Sequence, residues 1–215
     1  LRACLAALRM QDTMLQFSET PTSQGVFQLR MSVGLGTGRL FMAKLGSKEG
    51  MEFAIMGRAM GNMARAEAQA SAGEIFIDTE THDAIANLAT TGPTPDGFHQ
   101  LFSLREGIPD LSGVPEDPLD TLPPPPAERA AALPWVADRV QRIQALELYL
   151  PPGLMDKIKL EPERIAIGGE YRPVTVLFAS FYGIDESIEA LGEARSAEVT
   201  AILNAHFTTM RQIIA

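Results

Sequence analysis

A proline-rich, acidic stretch in the middle of the chain constrains its fold more than any other feature, because it divides the sequence into two segments. Prolines recur from Pro109 onward and end in the run Pro123 to Pro126, with acidic residues between them. Consecutive prolines favour a semi-rigid extended linker. A proline run can also be a docking ligand for an aromatic groove, but the position between two folded segments favours a linker. We therefore predict a linker over residues 106–133.

Charge and hydropathy exclude several classes of protein. The net charge is −9 and no basic cluster occurs, which argues against a nucleic-acid partner because phosphate binding needs clustered Lys and Arg. No apolar run approaches the roughly 18 to 20 residues that cross a bilayer, so we expect no membrane segment. Cys4 is the only cysteine, which excludes an internal disulfide and favours a reducing compartment. We expect a cytoplasmic location.

Both ends of the sequence lie inside helical patterns. The chain starts at Leu1 without a Met and ends at Ala215. We expect a fragment of a longer protein, so the lack of a targeting segment says little about that protein.

The first segment mixes short strands and helices. Leucines at helical spacing predict a helix over residues 1–17, and the alternation from Phe27 to Val33 predicts a half-buried strand. Gly73 is expected to close a helix that starts near Arg58. The other predicted elements are strands at 39–45, 52–56, 74–78 and 98–104 and a helix at 79–88. Because strands and helices do not alternate regularly, the pattern predicts an α+β layer architecture.

The second segment is predicted to be mainly helical. Helices are expected over residues 134–148 and from Ser196 to the end. Residues 174–179 are apolar on both faces, which is typical of a central strand covered on both sides. Asp185 is a predicted N-cap for a helix that ends near Leu191.

The glycines at positions 34, 36 and 38 resemble a dinucleotide fingerprint only superficially. The third glycine comes too early for that motif, and a second strand rather than a helix follows it. Without a helix N-terminus, no dipole end faces a pyrophosphate. We interpret these glycines as a tight turn between adjacent strands.

Four features follow one another in the first segment: a glycine-punctuated strand pair over residues 29–40, then Leu45 to Ser47, then the aromatic-led strand Phe53 to Gly57, then a helix bearing Arg65. In this order they resemble the C-terminal half of a class III adenylate/guanylate cyclase domain. The second segment independently resembles the start of such a domain, through Tyr149 to Pro152, Gly169 to Phe178, and Gly183.

The order of the two matches, an end before a beginning, resembles the junction of two tandem cyclase domains of the bacterial type. The resemblance implies a ferredoxin-like core for each domain. Residues 1–105 would be the C-terminal half of the first domain, residues 134–160 connecting helices, and residues 161–215 the N-terminal half of the second. The two halves would either pack as one hybrid domain or remain two sides of a domain interface.

The resemblance also implies a chemistry. Such enzymes convert a nucleoside triphosphate into a 3′,5′-cyclic nucleotide and pyrophosphate for intracellular signalling. Two metals, Mg or Mn, held by two Asp carboxylates of one domain, activate the ribose oxygen and neutralise the phosphates. The facing domain supplies purine-selecting side chains with an Asn and an Arg that stabilise developing charge. A pair of domains therefore forms two composite sites.

In the first domain the chain keeps only part of this pattern. Arg65 matches the family's transition-state Arg. The Asn expected four residues earlier is Gly61, and the position of a base-selecting Asp is Ala54. Asn62 is a possible shifted Asn, although it is rotated by about 100° around the helix. A solvated surface charge is the alternative interpretation of Arg65.

In the second domain the first metal Asp is replaced by Ser180, whose neutral hydroxyl cannot replace a carboxylate at a two-metal site. The residues that follow, Phe181, Tyr182, Gly183 and Ile184, match the family's phosphate loop. Asp185 lies beyond the turn and is interpreted as a helix cap rather than a ligand. We expect no metal or other cofactor in this fragment, and Mg or Mn at the intact site of the longer protein.

Two functions remain open. The chain is either part of a cyclase that carries its degenerate composite site, or a non-catalytic pseudo-cyclase module that regulates pairing and binds a nucleotide or small effector. Its expected partners are the missing halves of both domains and a nucleoside triphosphate at the intact site. His82, His99 and His206 show no ligand-like spacing, so no zinc site is expected.

Overall fold

The structure, a computed structural model, describes residues 1–105, 126, 129–151, 153–160, 171, 173–177 and 182–214. The chain divides into two units, residues 1–41 with 55–115, and residues 42–54 with 116–215. No described helix has the length and apolar character needed to cross a membrane. The elements in chain order are α1 (Arg2–Met14), β1 (Thr20–Thr22), β2 (Gly25–Phe27), β3 (Val33–Leu35), β4 (Phe41–Ser47), β5 (Gly50–Met56), α2 (Arg58–Gln69), β6 (Ile75–Ile77), α3 (Thr79–Ile85), β7 (Ala89–Pro93), β8 (His99–Leu104), α4 (Arg129–Glu147), α5 (Leu154–Leu160), α6 (Ile184–Leu191) and α7 (Ser196–Ile214).

The first unit is built on a four-stranded mixed sheet in the order β3-β6-β8-β7. Strand β3 runs parallel to β6, whereas β6 with β8 and β8 with β7 are antiparallel. The mixed α+β class predicted from the sequence is confirmed. The predicted domain boundaries stay a prediction.

Alternation along β3 and β6 places helices on both faces of this sheet. Ile75 and Ile77 join a buried cluster with Cys4 and Ala7 of α1 and with Ile85 of α3. The side chain between the two isoleucines, Phe76, packs on the other face with Ala66 of α2. This two-sided burial explains why all three residues of β6 are buried, as expected for a strand covered on both faces.

The predicted strand from Phe27 to Val33 is wrong for most of its length. Strand β2 ends at Phe27, and β3 begins only at Val33. Phe27 is 53% exposed and Leu29 is 50% exposed, so the alternating apolar residues do not face a core. Period-two patterning indicates a strand only where a layer covers one face, and β1 and β2 form a small exposed hairpin here.

The interpretation of the glycine segment as a turn between paired strands is also wrong. Gly34 lies inside β3, which pairs with β6, whereas β4 pairs with β5. A Cβ on Gly34 would meet the backbone of Met63 and Glu67 in α2, and a Cβ on Gly36 would lie 2.5 Å from the carbonyl oxygen of Ala59. The glycines therefore let α2 approach the strand closely.

Helix α2 forms where the sequence predicts it, but Gly73 does not close it. The helix ends at Gln69, and Ala70 follows with an extended backbone. Gly73 has a φ of 96° in the turn that precedes β6. No element is predicted between residues 88 and 98, where the structure has strand β7 (Ala89–Pro93). Among the described residues β7 is an edge strand that pairs with β8.

The second unit holds most of the hairpin of β4 and β5 together with the helices α4 to α7. Ala43 and Leu45 of β4 are buried, as are Val199 and Leu203 of α7. The backbone N–H of Gly46 donates to Asn204 Oδ1 of α7 at 2.7 Å. These contacts fix the hairpin against the last helix within this unit.

The predicted central strand over residues 174–179 is wrong in its described part. Val174 to Leu177 belong to no strand, and Val174, Val176 and Leu177 are each more than 70% exposed. A strand covered on both faces needs neighbouring strands and two layers, and the described residues offer this segment neither. Residues 178–180 lie outside the described part of the chain.

Candidate functional site

The turn between β5 and α2 sets the positions of the site residues on that helix. Gly57 precedes the first helical residue with a φ of 125°, a backbone conformation that favours glycine. It is buried, and its carbonyl oxygen accepts the backbone N–H of Met60 at 2.9 Å. A helix that starts at Arg58 places Gly61 and Arg65 one turn apart on the same side.

Gly61 is exposed and brings no side chain to this side of α2. The position that carries an Asn in the family's pattern is therefore empty of polar groups. Ala54 lies on β5 in the second unit and is half-buried. Its methyl group offers no hydrogen bond with which to select a base.

Asn62 points into the protein rather than to the surface. It is 8% exposed, and its Nδ2 donates to Asp78 Oδ2 at 3.1 Å. Its Oδ1 accepts from an Arg65 guanidinium N–H at 2.6 Å. Both polar atoms of the amide are thus committed to partners within the protein.

Arg65 is an exposed side chain, but it is not free in solution. It lies three residues after Asn62, on the neighbouring position of the helix face, and Asn62 is its hydrogen-bond partner. Among the described residues the structure gives its guanidinium no second partner. The structure brings together Arg65 and Asn62, two of the residues selected from the sequence.

Asp78 is the functional residue that sequence reasoning missed. It follows β6, caps α3 and is 2% exposed. Its Oδ1 accepts the backbone N–H of Thr81 at 2.9 Å, and both carboxylate oxygens lie 3.2 Å from the backbone N of Thr37. The hydroxyls of Thr37 and Thr81 are hydrogen-bonded to each other at 2.7 Å. A signal was available in the sequence, since Asp followed by Thr at the end of a strand is typical of an N-cap.

The electrostatics of this carboxylate follow from its hydrogen bonds. Burial works to raise the pKa of Asp78, but the hydrogen bonds from Thr81, Asn62 and Thr37 outweigh it and hold that pKa below its ordinary range. Asp78 is therefore an anion at neutral pH. Its partners are neutral groups, and the nearest cation in this network is Arg65, on the far side of Asn62.

The structure also places His82 and His99 together, which their spacing in the sequence did not predict. Their rings stack with centroids 3.7 Å apart and an interplanar angle of 7°. Burial, and then the charge that His82 can carry, lower the pKa of His99. Because the two rings are parallel, their nitrogens do not converge on one point where a metal ion could bind. Among the described residues no group of three or more His, Cys, Asp or Glu side chains could hold a metal ion.

In the second unit the phosphate-loop-like segment is described from Tyr182 onward; Ser180 and Phe181 lie outside the described residues. Gly183 precedes α6 with a left-handed φ of 85° and is the N-cap residue. The prediction that Asp185 caps this helix is wrong, because Asp185 lies inside the first turn together with Glu186. The positive end of the helix dipole stabilises both carboxylates, which explains their position in the first turn.

The described residues of this unit line clefts of different size. One of about 100 Å³ lies between α6 and α7 and is lined by Tyr182, Ile184 and Val199 among others, with no Lys or Arg among its described lining residues. Another, of about 280 Å³, lies between the β4–β5 turn and α7. Arg211 lines this second cleft and donates to the carbonyl oxygen of Glu49 at 3.1 Å.

No protein-family model matches this chain, and no curated protein matches its sequence. Solved structures similar to it are cyclase catalytic domains. The guanylyl cyclase domain of the RhoGC fusion protein from Blastocladiella emersonii is 21% identical with a TM-score of 0.39, over 48% of this chain and 56% of that chain. The guanylate cyclase domain of RhGC from Catenaria anguillulae, solved in complex with GTP, is 19% identical with a TM-score of 0.39, over 46% and 59%. The adenylyl cyclase CyaB from P. aeruginosa is 24% identical with a TM-score of 0.34, over 46% and 55%. The chain spans less than two thirds of each of these domains.

Proposed function

We propose that this chain is part of a nucleotide cyclase and carries the degenerate halves of one of its two composite sites. In the proposed longer protein, a nucleoside triphosphate would be converted to a 3′,5′-cyclic nucleotide and pyrophosphate at the other site. The halves of that other site would lie outside residues 1–215. They are the partners that this proposal requires.

The single observation that carries the proposal is the position of Asn62. It is the only asparagine on α2, and its amide is buried and hydrogen-bonded to Asp78 and Arg65. To reach a substrate, this inward-facing amide would have to turn away from Asp78 and lose a buried hydrogen bond to a charged group, which costs about 1.5–3 kcal/mol. The helix therefore presents Arg65 without a free Asn beside it, since Gly61 has no side chain.

The half of the proposed site that would bind the metal ions also lacks a carboxylate ligand. Mg²⁺ takes carboxylate oxygens and water in octahedral geometry, and the chain has the neutral Ser180 where the family has an Asp. Asp185 does not take its place, because it lies in the first turn of α6. These residues do not fit a two-metal site, so no step of the reaction is assigned to a metal in this chain.

The charge at the phosphate-loop-like segment supports the same proposal. Asp185 and Glu186 directly follow Gly183 and Ile184 in the first turn of α6. Two carboxylates there offset the attraction of a helix N-terminus for phosphate. We expect a triphosphate to be bound weakly at this segment.

A second candidate function is a regulatory pseudo-cyclase module that binds a nucleotide without converting it. The specific observation in its favour is Arg65, which is exposed and held in place although the catalytic pattern around it is lost. Two Asp residues at the matching positions of the sequence before Leu1 would favour a working site elsewhere in the protein. Their absence would leave the regulatory function.

The activity of residues 1–215 tests the proposal. We expect no cyclic AMP or cyclic GMP above background when the folded chain is incubated with ATP or GTP and Mg or Mn. The measurement is product formation by mass spectrometry. An Arg65→Ala variant is the control, because a contaminating cyclase would be insensitive to it. Product formation that depends on Arg65 would contradict a degenerate site.

Replacement of the missing carboxylate alone is expected to leave the chain inactive. In the Ser180→Asp variant, Gly61 and Ala54 still supply neither the Asn nor a base-selecting side chain. Recovered turnover in this variant would show that the assignment of positions on α2 is wrong.

A further inference from the structure

A continuous line of hydrogen bonds runs from the buried end of α3 to the surface of α2. It starts at the backbone N–H groups of Thr37 and Thr81, passes through the Asp78 carboxylate and the Asn62 amide, and ends at the Arg65 guanidinium. Thr81, Asp78 and Asn62 are buried, whereas Thr37 and Arg65 are exposed. We name Asp78, Asn62 and Arg65 together the relay.

The amide of Asn62 has only one orientation in the relay. Its N–H group faces the carboxylate of Asp78, and its carbonyl oxygen faces the guanidinium. The flipped orientation would place the carbonyl oxygen against a carboxylate and the N–H group against a cation, so both contacts would be repulsive. A negative charge at one end and a positive charge at the other polarise the amide and strengthen both hydrogen bonds.

The buried end of the relay is anchored by three parts of the first unit. The Asp78 backbone N–H donates to Leu35 of β3 at 3.0 Å. Its carboxylate accepts from Thr37, which follows β3, and from Thr81 in the first turn of α3. Because these donors are backbone groups of packed elements, the carboxylate is fixed in place.

We propose that Asn62 and Asp78 are positioning residues that hold the guanidinium of Arg65 ready for a phosphate group. This inference rests on the second candidate function, a module that binds a nucleotide without converting it, which supplies a nucleoside triphosphate as the ligand class. An exposed arginine normally loses conformational freedom when it binds. The relay restricts that freedom beforehand, because one guanidinium N–H already donates to Asn62.

The chemistry of Arg65 fits a phosphate. A guanidinium presents five donors in a planar fork that matches phosphate oxygens. Only one of its nitrogens has a partner among the described residues. Asn62 lies three residues away on the same helix, so it restrains the side chain without covering it.

The experiment uses the whole chain and inorganic triphosphate as the probe, followed by NMR of the arginine Nε–Hε signals. We expect Arg65 to be the arginine whose signal shifts. Arg65→Ala is expected to weaken triphosphate binding by at least about tenfold, as the loss of a charge-assisted hydrogen bond requires. Arg9→Ala, which removes an exposed arginine from α1, is the matched control and leaves the affinity unchanged.

The relay itself is tested by a double-mutant cycle. Asn62→Leu removes the acceptor of the Arg65 guanidinium, and Asp78→Asn removes the charge that holds the Asn62 amide, so each single variant is expected to weaken binding by about threefold to tenfold. Asp78 acts on Arg65 only through Asn62. The double variant is therefore expected to bind triphosphate within about twofold of Asn62→Leu.

The possible outcomes distinguish variants that release the Arg65 side chain from variants that only destabilise the fold. Each variant is measured at a temperature at which it is folded, and the order parameter of the Arg65 Nε–Hε group is recorded without ligand. If the single variants free this group and weaken binding, and the double variant binds as Asn62→Leu does, the inference stands. If either single variant is folded and binds triphosphate as the original chain does, or if the losses of the two single variants add in the double variant, it is overturned.

ATP and GTP form the second arm of the experiment. Tighter binding of either nucleotide than of inorganic triphosphate supports the second candidate function. If both nucleotides bind no better than triphosphate while the double-mutant cycle behaves as expected, positioning of Arg65 stands and the second candidate function fails.

Discussion

At the scale of single residues, Asp78 shows how a buried carboxylate keeps its charge without a direct ion pair. An isolated ionised carboxylate is costly to bury. Here backbone N–H groups of Thr37 and Thr81 and the amide of Asn62 occupy its oxygens. The same hydrogen bonds cap α3 and join that helix to β3 and α2, so one side chain stabilises three elements.

The depressed pKa of Asp78 predicts how stability depends on pH. A group whose pKa is lower in the folded state stabilises the fold above its unfolded pKa of about 3.9, and this contribution is lost as pH falls through the folded pKa. We expect the free energy of unfolding to fall more steeply below about pH 4 in the original chain than in Asp78→Asn, by at most about 1.4 kcal/mol per pH unit. Urea unfolding from pH 7 to pH 2.5 measures this difference. Parallel curves would show that Asp78 is not an anion in the fold.

Only some of the hydrogen-bonded residues around Arg65 could be selected from the sequence. Arg65 and Asn62 could be selected because the helix that bears them resembles the Asn- and Arg-bearing helix of the cyclase family. The partner of Asn62 could not, because Asp78 reaches it through the packing of β6 beside β3 rather than through local spacing. The stacking of His82 on His99 depends in the same way on the packing of α3 beside β8. Side chains that meet through tertiary packing have no regular spacing in the sequence, so their pairing cannot be predicted from a periodic pattern.

At the scale of elements, the contact between β3 and α2 depends on the absence of side chains. Val33 and Leu35 face the core on one side of the strand, and Gly34 lies between them on the side of α2. A larger residue at Gly34 or Gly36 would push the helix away from the sheet. The position of Arg65 relative to Asp78 depends on this distance.

Gly36→Ala is expected to destabilise the first unit by about 1–3 kcal/mol, the usual cost of overpacking. The new methyl group would lie 2.5 Å from the Ala59 carbonyl oxygen and 2.7 Å from the Met63 backbone nitrogen, and a helix backbone cannot move aside locally. Chemical denaturation measures the change. Gly38→Ala is the control, because its methyl group would meet only the Ala59 side chain and backbone at 3.2 Å or more.

The Gly38 control is expected to lie within about 1 kcal/mol of the original chain, since a lower entropy of the unfolded chain offsets a mild contact. Equal losses in the two variants would contradict close approach at Gly36 as the cause.

Most elements form near their predicted positions, including the helices α1, α2, α3 and α7 and the strands β4, β5, β6 and β8. The errors lie where the sequence does not reveal what covers a segment. The strand expected at residues 27–33 failed because alternation does not reveal whether a layer covers one face. The glycines at positions 34 and 36 were assigned to a turn because the sequence does not reveal which helix packs on them.

At the scale of the whole molecule, the two units are not consecutive in the chain. Residues 42–54 belong to the second unit, although the residues on both sides of them belong to the first. The hydrogen bond from Gly46 to Asn204 joins residues 158 positions apart. The strength of this long-range contact determines how well the hairpin holds to α7.

Asn204→Ala is expected to loosen the hairpin. The backbone N–H of Gly46 loses its acceptor, and its hydrogen exchange is expected to speed up by about fivefold to tenfold, equivalent to one lost hydrogen bond. Gln212→Ala removes a side chain of the same helix and is expected to leave this exchange rate unchanged. Unchanged exchange in Asn204→Ala would mean that other contacts hold the hairpin.

The interrupted order of the second unit has a practical consequence for dissecting the protein. A cut anywhere in the proline-rich stretch yields one piece that carries the β4–β5 hairpin and another that carries α7. Neither piece contains a complete second unit, so neither is a natural choice for separate expression. The same topology makes the chain suitable for split-protein complementation, in which the second unit is completed only when the two separately produced pieces associate.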